Sequence, residues 1–119
     1  VTGAVNDMGW CQSAYEGLKL VEEELGCEIA YTENVQSSDM TSAFTEYASN
    51  EYDVVIGHGF QFGDPALEVG ELYPNTKFIC IEADASAENV ACGGNVTDRK
   101  YRIHRSSARC ISRKDYEWV

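Results

Sequence analysis

The chain has 119 residues, 44% of them hydrophobic, which suits one globular domain and leaves no room for two large ones. Its formal charge of −11 repels nucleic-acid phosphates and anionic membrane surfaces, so nucleic acid is not expected as a partner. No apolar run reaches the roughly 18 residues that a membrane span needs, and the residues after Val1 do not read as a signal segment.

Val1 to Val5 reads as the tail of a strand, and Asn6-Asp7-Met8-Gly9 as a turn. A helix is predicted from Trp10 to Leu25. Ala14, Leu18, Val21 and Leu25 follow helical spacing, Glu22 to Glu24 form a solvated face, and Gly26 is the stop. Cys27 to Tyr31 is predicted as a strand. Ser37, Ser38 and Asp39 offer capping oxygens to a second helix with the apolar stripe Phe44, Tyr47 and Ala48, closed by Asn50 to Tyr52.

Asp53 to Gly57 holds the β-branched run Val54-Val55-Ile56, which predicts a strand buried on both faces. A loop, His58 to Gly63, follows. Asp64-Pro65 predicts a helix start with Asp64 as the cap. That helix ends before the turn Tyr73 to Thr76. Lys77 to Ile81 is the next strand, and a small one forms around Val90-Ala91-Cys92.

Strand centres near Ile29, Val55 and Ile79 recur about every 25 residues, one strand and one helix each. The pattern predicts an α/β fold, an open parallel sheet with helices on both faces and right-handed crossovers. Such sheets bind ligands beyond the carboxyl ends of their strands. Three segments fall there: 6–10, 57–63 and 82–85.

Each offers chemistry. Asn6 and Asp7 can bond hydroxyls and Trp10 can stack on a planar ring; alternatively the turn caps the helix and Trp10 is packed. Gly57 and Gly59 let backbone amides approach a ligand, His58 can hydrogen-bond, and Phe60 can stack. Glu82 and Asp84 either bind hydroxyls or face water. No nucleophile elbow, phosphate loop or zinc-protease helix is present, so an enzyme is not expected. Cysteines at 11, 27, 80, 92 and 110 match no metal spacing; no metal or other cofactor and no disulfide framework is expected, and Cys27 and Cys80 read as small core residues.

The residues Asn6-Asp7-Met8-Gly9-Trp10-Cys11-Gln12-Ser13-Ala14-Tyr15-Glu16-Gly17-Leu18 resemble the first loop and helix of the basic membrane lipoprotein family of ABC-transporter substrate-binding proteins. The stretches Tyr52 to Phe60, Tyr73 to Phe78 and Ala87 to Ala91 agree in order. The resemblance implies a type I periplasmic-binding fold of two lobes, present here as a partial amino-terminal lobe over residues 1–98. It implies a purine nucleoside or similar ringed solute in the cleft, contacted here by Asn6, Asp7, Trp10, Gly57, His58, Gly59, Phe60 and Glu82. Family members often have Asp where Glu82 stands. A membrane permease is the implied partner, and an extracytoplasmic, lipid-tethered full-length form the implied location.

Residues 99–119 depart from the family and carry Arg99, Lys100, Arg102, Arg105, Arg109, Arg113 and Lys114. Codons for Arg102-Ile103-His104-Arg105, shifted by one nucleotide, can encode Gly-Tyr-Ile-Ala, which resembles the Gly-Tyr-Leu-Ala-Gly of the family's next helix, so this tail is expected to be a frameshifted reading, disordered or poorly ordered. With half of a cleft, the chain alone is expected to bind weakly or not at all. A ligand-sensing effector domain of a regulator is the alternative, and a small flavodoxin-like enzyme using His58 or Cys11 a more distant one.

Overall fold

The computed structural model describes residues 1–93; the basic tail and its expected frameshift lie outside them. Helix α1 runs Trp10–Leu25, helix α2 Met40–Ser49 and helix α3 Gly63–Leu72. Strands β1 (Val54–His58), β2 (Lys77–Ile81) and β3 (Val90–Gly93) form a parallel sheet in the order β1-β2-β3. This is the predicted α/β architecture.

Helix α1 has the predicted limits. Gly26 ends it at φ 64°, where an L side chain would be strained, and its N–H donates to the Glu22 carbonyl at 3.0 Å. A short 3-10 turn, Ser37–Asp39, leads into α2, but its side chains do not cap the helix. A second, Phe60–Phe62, runs directly into α3. Asp64 is therefore not the predicted cap. It stands in the first turn, where its charge suits the helix dipole.

The core lies between α2, α3 and one face of the sheet. Phe44 and Ala48 from α2 and Ala66 and Val69 from α3 close over Val55, Phe78, Cys80 and Val90, with Phe62 beneath. Phe44 stacks on Phe62 with centroids 5.3 Å apart and meets Phe78 at 5.6 Å. Each fully buried large side chain stabilises the fold by roughly 1.5–3 kcal/mol. Asn89 fastens β3 to this layer, its amide donating to the carbonyls of Gly70, Tyr73 and Thr76 at 3.0–3.1 Å.

Three expectations fail on the opposite side. Ile56 is 50% exposed, so β1 is not buried on both faces. Alternate side chains of a strand point oppositely, and α2 and α3 cover only the side of Val55 and Gly57. Helix α1 reaches the other side through its first turn, and Cys11 is its one buried residue. Residues 1–5 and 27–31 form no ladder strands. They do not pair with the sheet: residues 1–5 bond instead to the segment 32–35, as in Asn34 N–H to the Gly3 carbonyl and Val35 N–H to the Val1 carbonyl, and Tyr31 packs edge-on against Tyr15. Cys27, placed on that segment, is exposed rather than a core residue, whereas Cys80 is fully buried as expected.

Candidate functional site

Parallel register sets the site. His58 lies beside Ile81, so the chain leaves β1 and β2 at one level and residues 59–63 and 82–85 emerge together. The turns touch: a Cβ at Gly63 would lie 3.2 Å from that of Ala83 and 3.5 Å from that of Ala85. The first turn joins them through Trp10. Its indole stacks on the His58 ring at 4.1 Å and 30°, and His58 Nε2–H donates to the Trp10 carbonyl at 3.1 Å. The three segments predicted to share one rim are thus in contact.

Asp7 builds the first turn. Its carboxylate accepts the N–H groups of Gly9, Cys11 and Gln12 at 2.9–3.0 Å, satisfying donors that a helix start leaves open. Those bonds, the Cys11 amide foremost, hold the Asp7 carboxyl below its ordinary range. The capping alternative for this turn is what the structure contains, and it fixes where Trp10 begins α1. Trp10 is packed on one side only and stays 44% exposed. Asn6 is exposed beside it.

His58 is buried, and burial pushes its imidazole below the ordinary value. The bond to the Trp10 carbonyl and the charges of Glu82 and Asp7 oppose that shift without overcoming it. The carbonyl can only accept, so the neutral ring carries its proton on Nε2.

The two glycines act differently. Gly59 has φ 139°, a conformation that favours glycine. Gly57 is extended, but a Cβ there would lie 2.5 Å from Phe62 Cβ and 2.7 Å from the Phe44 ring. With Phe62 held inside, Phe60 is turned out and 69% exposed. At the end of β2, Glu82 has φ 61° while its N–H donates to the Gly93 carbonyl. Glu82 and Asp84 both face water.

The rim therefore offers two exposed rings, Trp10 and Phe60, an exposed amide and two carboxylates. Met8, 92% exposed with φ 55°, joins them; left-handed backbone at a residue other than glycine clusters at functional sites. Sequence reasoning missed Phe62 as the anchor of this loop and read Trp10 and His58 as separate ligand contacts. The alternation of Phe60 and Phe62 in a glycine-bounded loop was the available signal for the anchor. A Cys11–His58 nucleophile pair does not form: Cys11 is buried and bonded to Asp7, and His58 Nε2–H is committed to Trp10. Among the described residues no three His, Cys, Asp or Glu side chains gather as a metal set.

Comparison with known proteins bears on the family and the fold. The family model for PnrA-like ABC transporter substrate-binding proteins matches residues 1–106. The chain is 29% identical over 87 residues to the transcriptional activator protein Med of Bacillus subtilis, a match covering 72% of this chain and 27% of that protein. It is 36% identical over 75 residues to a putative ABC transporter glucose-binding protein of Haloferax volcanii, covering 62% and 19%. An uncharacterised lipoprotein of Pyrococcus abyssi is 34% identical over 82 residues, covering 68% and 20%. The fold is shared with an ABC transporter solute-binding protein from Conexibacter woesei at a TM-score of 0.71 and 21% identity, over 78% of this chain and 32% of that one. The chain thus spans 19–27% of the length of these three curated relatives.

Proposed function

The chain belongs to the PnrA-like family of ABC transporter substrate-binding proteins, and from that premise we propose that its rim holds the ring of a purine nucleoside or similar solute for delivery to a membrane permease. The family is one of solute binders, not of enzymes. The observation that carries the reading is the Trp10–His58 stack, which sets an exposed indole beside the level ends of β1 and β2.

Trp10 and Phe60 supply faces for a heterocycle, a contact of roughly 0.5–1.5 kcal/mol per ring pair beyond area burial. Asn6, Glu82 and Asp84 take the sugar hydroxyls, and the backbone of Gly57 to Gly59 approaches closest. Asp7, spent on its helix, serves by posing Trp10. A second lobe closes over the rim in the whole protein and commits the solute. Relatives named as lipoproteins support an extracytoplasmic, lipid-tethered form.

Saturation-transfer NMR on the chain with adenosine, guanosine and glucose tests this. Transfer to the nucleoside ring protons is expected, lost in Trp10→Ala. Transfer to glucose alone, or ring transfer that survives Trp10→Ala, overturns it. The relative named as a transcriptional activator favours a second reading, a sensing domain with the same pocket chemistry. A DNA-binding segment in the parent gene would support that reading over transport.

A further inference from the structure

We propose that Cys80 and Cys92 are a disulfide site, a cross-strand staple that closes the segment 81–91 and with it the turn bearing Glu82. The two residues are direct register partners on β2 and β3. Neighbouring strands run about 4.8 Å apart, inside the roughly 4.4–6.8 Å that separates the Cα atoms of bridged cysteines. Register partners share a face, so both side chains point the same way. Burial first, and then the charge of Cys92, push the Cys80 thiol up to about 12. The Cys80 S–H also lies 3.4 Å from the Phe62 carbonyl, which aims the sulfur along the core beneath the site loop. All four described cysteines are free thiols in this structure.

The oxidant is a small-molecule disulfide. Cys92, the partly exposed member, attacks it as the thiolate and releases one small thiol, leaving a mixed disulfide on Cys92. The Cys80 sulfur then loses its proton and attacks Cys92 Sγ, and the second small thiol departs with that proton. Two protein thiols lose two electrons and two protons in all, and the small disulfide gains them. The second step is slow at neutral pH because the buried thiol holds its proton, and it accelerates in alkaline buffer.

The full 119-residue chain, incubated with oxidised glutathione in mildly alkaline buffer, tests the site. The stretch carrying Cys80 and Cys92 is expected to lose two hydrogens and to resist alkylation at both sulfurs, whatever adduct forms on the exposed Cys27. The closed ring is short, so Tm is expected to rise by roughly 5–15 °C and to return on reduction. Cys92→Ser, a near-isosteric change at a partly exposed position, is expected to show no such loss. A stable glutathione adduct on Cys92 with Cys80 still open to alkylation, a linkage through Cys11, Cys27 or Cys110, no linkage at all, or mass loss in Cys92→Ser would overturn the proposal.

Discussion

On one face of the sheet, Val55, Phe78, Cys80 and Val90 are sealed beneath α2 and α3. On the other, Ile56 is half exposed and His58 is covered by one ring from the start of α1. The same strands therefore serve two purposes. The covered face supplies cohesion through packed aromatics, which tolerate little change of volume. The open face carries the stacked pair that supports the rim, held by one stack and one hydrogen bond. A site built this way can be altered without dismantling the fold beneath it.

The largest effect expected from that contrast is at Phe78. Phe78→Ala should cost about 4 kcal/mol by urea denaturation, whereas Ile56→Ser, one face away, should cost less than about 1 kcal/mol. Equal losses would mean that both faces are packed alike. Next comes Gly57→Ala. The added methyl meets Phe62 Cβ at 2.5 Å, close to a backbone that cannot swing aside, and the expected loss is about 2 kcal/mol. An unchanged midpoint would show that the loop after β1 can move away from the core.

The smallest effect is that of pH. The His58 imidazole lies below its ordinary 6.5 in the folded chain, so the folded state binds fewer protons than the unfolded one in that window. Stability is full above 6.5 and declines as pH falls through it. Denaturation at about pH 7.5 and about pH 5.5 should show this decline, and His58→Gln should flatten it. A slope that survives the substitution would assign the proton to another group.

Local chemistry made much of the molecule legible. The helical spacing from Ala14 to Leu25 and the glycine after it gave α1 its limits, and the apolar runs at 54–56 and 78–81 marked β1 and β2. The covered face could not be told from the open one, because Val54-Val55-Ile56 is apolar throughout and only tertiary neighbours decide which side is sealed. Cys27 to Tyr31 has strand-like residues but no adjoining strand, and a strand without a ladder is not one. Convergence of the three turns followed from topology. The stack of Trp10 on His58 did not, since it joins residues 48 apart that no local pattern relates.

The close approach of Gly63 to Ala83 and Ala85 bears on how such rims diversify over time. Positions 63 and 83 must stay small, or the two turns would be forced apart. Heritable variation in this part of the surface is then channelled into the outward-facing neighbours Phe60, Gln61, Glu82 and Asp84, where a new side chain changes what the surface offers without changing the shape that presents it.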